Sequence, residues 1–341
     1  MTHSPGNPTN RWLRGLLVIC LGLTSCRSDP SLPKKFRSAE RIALIGMGKD
    51  HLSWAVLQMT GRQVAGHNGR LTIDVLAPDH AAPAAQKELL ESIPLDRYDA
   101  ICIHPIDPES IVSAMDRLTT RGIPIIAIGR DTSATTRSGF SGPLESDMGR
   151  IAAEACEILI KGKSNSIILL HGGTDNLFYR ARYDSFKTAL AHVSGINLLK
   201  EVDCHGNRMD ALRLVKAESR KYPRTAGWVL LGDWPFRGLA EEDRLLPIGC
   251  GIVLCESDPT YFERLRDGRI EGLIGYDYRE AVLQAIYAAI RTCEDTNRRG
   301  FTSEISVTPE IITRKTLPLW EARWRSWCAG NASSEPTSRG S

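Results

Sequence analysis

No apolar run in this sequence is long enough to cross a bilayer as a helix. The stretch from Gly15 to Leu23 is roughly ten residues, against about 20 for a span. There is no C-x-x-C pair among the nine cysteines, which removes the usual zinc and thiol-redox motifs. No block of one charge exists: 43 basic against 40 acidic residues leave a net charge of +3, scattered along the chain, so a nucleic-acid footprint is not expected. Signatures of catalysis are missing too. "GMGKD" (Gly46 to Asp50) offers G-x-G, but Lys49 and Asp50 break the dinucleotide fingerprint, and there is no Walker A loop, G-x-S-x-G elbow or H-E-x-x-H helix. His51, His104, His171 and His205 fall near strand ends without metal-ligand spacing, and no cofactor or metal is expected.

The ends of the chain are informative. Arg11 and Arg14 precede the short apolar run, and small residues follow it, as in a secretory signal. Leu23-Thr24-Ser25-Cys26 resembles the lipobox of bacterial lipoproteins, whose signal is cut before a cysteine that then carries the lipid. Cys26 is thus the expected lipidation site; a plain secretory signal or an uncleaved anchor is the alternative. The polar stretch from Arg27 to Arg37, with Pro30 and Pro33, isolates the run from any core and reads as a tether. Of the cysteines left after Cys20 and Cys26, those at Cys102, Cys250 and Cys255 lie in apolar runs and read as small buried hydrophobes rather than disulfide partners. Beyond Ala329 the Ser-, Pro- and Gly-rich end reads as disordered.

Between these ends, short β-rich runs alternate with helical patterns. "RIALIG", "LTIDVLA", "YDAICIHP" and "IPIIAIG" read as strands. "HLSWAVLQMTGRQVAG", "AQKELLESI" and "DPESIVSAMDRLTTRG" read as helices, the last opened by Asp107 before Pro108. The rhythm repeats: "SDMGRIAAEACEILIKGK", capped by Ser146 or Asp147, then "SIILLHG", "YDSFKTALAHV", "INLLKEVD", "RMDALRLVKAESRKY", "AGWVLLGD", "GIVLCE", "IEGLIGY" and "REAVLQAIYAAIRTC". "SEISVTPEIIT" closes the fold in extended chain. The pattern predicts an α/β fold of two doubly wound, parallel-sheet lobes with helices on both faces. Ligands of such sheets bind beyond the carboxyl ends of the strands. The loops there carry aromatic faces (Trp54, Trp234, Tyr276, Tyr278) and charged groups (Arg130, Arg182, Asp233, Glu256). Rings that stack on C–H faces and charged groups that bond hydroxyls suit a monosaccharide or another small polar ligand. Each has a plainer alternative: Trp54 in a core, Trp234 capping the second sheet, Arg130 and Glu256 as an interlobe ion pair.

At these residues the chain resembles the type I periplasmic binding proteins, in their ribose/galactose-binding branch, over roughly Arg41 to Leu317. "RIALIGMGKDHLSW", "YDAICIHPIDPESIVSAMDRLTTRGIPIIAIGRD", "SDMGRIAAEACEILI", "RARYDSF" (an R-x-x-G-F element with Ser185 for glycine) and "DGRIEGLIGYDYREA" occur in the family's order. The resemblance implies that Met47, His51, Ser53 and Trp54 line the first-lobe wall, that Arg130 and Arg182 keep the family's arginines, and that Asp233, Trp234, Glu256 and Tyr276 complete the site. Gly129 stands where an acid is common, Glu256 replaces an aspartate and Tyr276 a glutamine. It further implies a three-crossover hinge and discontinuous lobes: signal 1–25, tether 26–37, first lobe 38–144 plus 277–303, second lobe 145–276 plus 304–319, and a tail 320–341. In that tail Trp320, Trp324 and Trp327 share a helical spacing, read as a helix docked on the second lobe or as a membrane or partner contact. The implied function is a non-enzymatic, lipid-anchored, monomeric protein on the periplasmic or cell-surface side that gives a sugar-like solute to an ABC-type permease. A sensor that passes cleft closure to a membrane receptor or kinase is the alternative. A regulator of the lactose-repressor type would need a helix-turn-helix where the export signal lies, and an enzyme on this scaffold would need a nucleophile–base pair.

Overall fold

The computed structural model describes residues 39–132, 137–160, 164–175, 177–240, 243–294 and 303–329. The expected signal, Cys26, the expected tether and the end of the tail lie outside them.

The strands form two six-stranded sheets. The first contains β1 (Arg41–Ile45), β2 (Thr72–Leu76), β3 (Ala100–Ile103), β4 (Ile125–Ile128), β5 (Gly139–Gly142) and β11 (Ser303–Ser306), in the order β11-β5-β4-β3-β1-β2. The second contains β6 (Ser166–His171), β7 (Asn197–Asp203), β8 (Gly227–Leu230), β9 (Gly251–Leu254), β10 (Gly272–Gly275) and β12 (Glu310–Thr313), in the order β12-β10-β9-β8-β6-β7. Every pairing is parallel except β10 with β12. Both faces of the central strands are covered, which is why β1, β3, β4, β8 and β9 are, past Arg41, runs without a polar side chain rather than alternating ones.

The helices are α1 (Ser53–His67), α2 (Pro83–Ser92), α3 (Val112–Thr119), α4 (Glu145–Glu154), α5 (Leu177–Leu190), α6 (Arg208–Lys221), α7 (Phe262–Arg266), α8 (Tyr278–Glu294) and α9 (Leu317–Ala329). Three local expectations differ. Regular α3 begins at Val112, because Asp107 closes a turn instead: Ser110 Oγ donates to its carbonyl at 2.9 Å. Neither Ser146 nor Asp147 caps α4, which starts at Glu145 behind an extended Leu144. And β5, in "SGFSGP", is a strand that composition hides: two of its four residues are glycines, and a Cβ on Gly142 would come within 2.8 Å of the Gly129 backbone. By contrast, Asn207 caps α6 by its amino-acid type, accepting from the Met209 and Asp210 amides.

The chain passes between sheets after β5, after β10 and between Ser306 and Glu310. The last passage falls later than the 303/304 boundary expected, because Ser303 to Ser306 pair with β5 in the first sheet. Behind these passages lies α9. Trp320, Trp324 and Trp327 are buried, and α9 packs on α1 of the first lobe as well as on α7 and β12 of the second. It is therefore docked on both lobes, and one apolar cluster runs continuously from Ile42 and Leu44 through α8 and α9 to Leu254 and Leu273. Its indole rings face inward, which leaves them unavailable to a membrane surface. Among the described residues no helix is long and apolar enough to cross a membrane.

Candidate functional site

The carboxyl ends of the two sheets face one another, and their loops hold the polar residues. The loops are set by backbone bonds. Buried Gln86 of α2 donates to the carbonyls of Gly46 (3.0 Å) and His104 (2.8 Å) and accepts from the Ile106 amide (2.9 Å), fixing the turns after β1 and β3 together.

On the first-lobe wall, Met47 and Trp54 are half-buried, with the Trp54 ring against Gly46. Ser53 is buried at the start of α1, its hydroxyl 2.7 Å from His51 Nδ1. Arg130, just beyond β4, donates to the Ile106 carbonyl at 3.0 Å. His104 follows β3, buried, with Nδ1 2.9 Å from the Tyr278 hydroxyl. Burial, helped by the positive charge of Arg130, holds its pKa well below the ordinary imidazole value, so the ring is neutral.

The second-lobe wall is more self-contained. Arg182 donates to Glu145 at 2.5 Å and to the Leu231 carbonyl at 2.6 Å, with both side chains of the pair almost wholly buried. Burial raises the Glu145 pKa despite the pull of Arg182. Asp233 accepts from Arg237 (2.9 Å) and from the Tyr261 hydroxyl (3.0 Å). Trp234 is buried: its ring packs against Gly172 and Gly232, where a Cβ would sit 2.7 and 2.8 Å from it, and meets Tyr179 edge-on. The ring thus caps the second sheet. Glu256 accepts from the Ser257 amide at 2.8 Å, and burial together with the like charge of Asp233 raises its pKa above the ordinary value.

Among the described residues, two charged contacts join the walls. His51 Nε2 lies 3.0 Å from Asp258 Oδ2, and Arg130 Nη2 lies 3.8 Å from Glu256 Oε2, too long for a hydrogen bond. Between them is the hinge tyrosine. Gly129 has a left-handed backbone (φ +70°), and a Cβ there would lie 2.5 Å from the Tyr276 hydroxyl and 3.3 Å from His104 Nε2. Gly129 and Tyr276 are therefore a matched pair: the phenol occupies the space the missing side chain leaves.

This arrangement has relatives. A family profile described as periplasmic binding protein domain matches residues 42–296. The chain belongs to that family. It is one of solute-binding proteins, not enzymes. AraP, an arabinose binding protein from Geobacillus stearothermophilus, superposes with a TM-score of 0.67 at 13% identity, over 82% of this chain and 98% of that one. An ABC transporter periplasmic solute binding protein from Actinobacillus succinogenes with bound D-allose gives 0.61 at 18%, over 82% and 99%. A Burkholderia graminis solute binding protein in complex with D-arabinose gives 0.63 at 17%, over 81% and 96%. A search of curated protein sequences returns no significant match.

For this member of the periplasmic binding proteins, His51, Ser53, Arg130, Glu256 and Tyr276 are brought together, while Arg182, Asp233 and Trp234 are engaged within the second lobe. Sequence reasoning missed Glu145, Asp258 and Tyr261 and gave His104 no binding role, while Tyr278, expected as an aromatic face, is buried with its hydroxyl 2.9 Å from His104 Nδ1. The rule that reached Arg130 also reaches His104, since both follow the end of a first-sheet strand. Nothing in the sequence marks Glu145 as the partner of Arg182, 37 residues away. Among the described residues no group of three or more His, Cys, Asp or Glu could hold a metal ion. Cys102, Cys156, Cys204, Cys255 and Cys293 are buried free thiols. Burial pushes the Cys204 thiol up to about 11 and that of Cys255 to about 12. Cys250 lies just before β9, half-buried, in a loop rather than the strand expected for it.

Proposed function

We propose that this chain captures a small polyhydroxylated solute, a monosaccharide or related polyol, in the interlobe cleft and presents it to an ABC-type permease. It does so as a monomer held by a lipid on Cys26 at the outer side of a membrane. The observation that carries the reading is the Arg130–Glu256 pair. A donor from one lobe and an acceptor from the other face each other at 3.8 Å without bonding, so both retain capacity for hydroxyls brought between them. Tyr276 lies beside them, and Met47, His51, Ser53, Trp54 and His104 belong to the same cleft, with Arg182, Asp233 and Trp234 shaping its second-lobe wall. The sugars bound by the D-allose and D-arabinose relatives give the first compounds to test.

A thermal-shift screen of the purified protein with D-arabinose, D-allose, D-galactose and myo-inositol tests this. A ligand present at 100 times its dissociation constant should add about 2.7 kcal/mol of stability. The shift should disappear in Arg130→Ala. A well-folded protein unmoved by every member of the panel refutes the polyol reading.

A further inference from the structure

The family profile ends at residue 296, and α9 (Leu317–Ala329) lies beyond it. The proposed ligand chemistry makes no use of this helix, yet it is fastened to both lobes. Its start is tied to the second lobe: Thr316 Oγ1 accepts from the Thr313 amide of β12 at 2.9 Å. Two ion pairs continue that attachment. Arg266 of α7 donates to Glu321, and Arg323 donates to Glu310 of β12 at 3.2 Å. The Arg323 guanidinium also lies 4.9 Å from the centre of the Trp320 ring. Trp324 grips the first lobe. It stacks on Tyr278, 6.1 Å between centroids and 9° from parallel, and Tyr278 opens α8, which packs on β3, β4 and β5. The Trp324 indole N–H is buried with no hydrogen-bond partner among the described residues, so stacking rather than a polar bond sets the place of the ring. Trp327 joins the two attachments, 5.2 Å from Trp324 and edge-on to Trp320 at 6.4 Å.

We propose that α9 is a strap across the hinge that limits how far the cleft opens. The three passages of the chain let one lobe rotate against the other. A helix seated on both lobes adds a fourth connection, and this one is a packed apolar contact rather than a single strand of chain. A rotation that parts the walls shifts α9 against one lobe or the other and opens part of that contact to water. Both sets of α9 bonds are made while His51 and Asp258 are in contact across the cleft. The strap therefore holds the lobes near this spacing. It acts on lobe spacing for any solute, so it stands apart from the polyol reading.

The test is small-angle X-ray scattering on the purified protein with and without D-arabinose or D-allose, paired with calorimetric titration of both sugars and with melting temperatures. The wild type should change little in radius of gyration when sugar is added. Arg266→Glu faces Glu321 with a like charge and loosens the second-lobe end of the strap. Trp324→Ala removes the ring that grips Tyr278 and loosens the first-lobe end. Both variants should show a larger radius of gyration without sugar. Binding should weaken by about two- to five-fold in Arg266→Glu, the scale of an exposed ion pair. In Trp324→Ala it should weaken by about ten-fold, the scale of an aromatic pair. Adding Glu321→Arg to Arg266→Glu restores the pair with its charges exchanged and should restore both size and affinity. Should Trp324→Ala not fold, the charge reversal and its rescue decide alone. Variants that melt earlier but keep the wild-type radius of gyration would make α9 a cover for the core and overturn the strap. A wild type that binds neither sugar counts against the polyol reading alone, because scattering from the sugar-free variants still decides the strap.

Discussion

On the second-lobe wall Arg182 commits its guanidinium to Glu145 and the Leu231 carbonyl, and Asp233 is held by Arg237 and Tyr261. On the first-lobe wall Arg130 gives one nitrogen to the Ile106 carbonyl and keeps another 3.8 Å from Glu256. Two arginines, Arg130 just beyond β4 and Arg182 within α5, thus do different work. One is a buried strut, and the other remains open to a new partner. Charge type alone does not distinguish them; the depth of the carboxylate opposite does.

The largest expected effect comes from the strut. Glu145→Ala leaves the Arg182 charge buried without its partner and should cost about 3–5 kcal/mol in urea-induced unfolding. A loss no greater than that of an exposed pair would erase the contrast between the walls. Intermediate is the matched pair at the hinge. Gly129→Ala forces a Cβ into a left-handed position against the Tyr276 hydroxyl and should cost about 1–3 kcal/mol. In a Tyr276→Phe background the clashing oxygen is gone, so the double-mutant cycle should return a favourable coupling of about 1 kcal/mol. Strict additivity would mean that the two residues do not meet in solution.

The smallest effect is at Glu256 and has a sign set by pH. Burial and Asp233 raise its pKa above the ordinary 4.5, against the pull of Arg130. A carboxylate whose folded pKa is raised subtracts stability as pH climbs from the unfolded pKa through the folded one, and the cost is complete above it. Glu256→Gln should therefore gain on the wild type as pH rises above 4.5, reaching about 0.5–1 kcal/mol at neutrality. Melting temperatures of both proteins across that range check it; a wild type that gains on the variant with rising pH reverses the assignment.

Much of the fold was legible because burial on both faces writes each central strand as an unbroken apolar run, and the helices between them keep their own period. The runs at Arg41–Ile45, Ile125–Ile128 and Gly251–Leu254 needed nothing else. The misses have physical causes. β5 is short and glycine-rich because it passes close against the Gly129 backbone, so it lacks the β-branched residues that mark a strand. α9 was visible as a helix, but a spacing of tryptophans says only that one face is apolar. That the face would bridge α1 and β12 depends on where two distant segments come to rest. Residue type and position after a strand pointed to Arg130 and Glu256, which the fold brings to 3.8 Å of each other, and the same cues could not tell the strut at Arg182 from a ligand arm.

By itself the sequence determined the alternation of strand and helix, the doubling into two sheets, and the loops in which polar chemistry collects, because these follow from local propensity and from hydrophobic period. Only the tertiary structure decided which polar groups remain open. That depends on partners far away in the chain: Glu145 for Arg182, Tyr276 for the space at Gly129, Asp258 for His51. A hydrogen bond is settled by distances of a few ångströms between atoms that the sequence places tens or hundreds of residues apart.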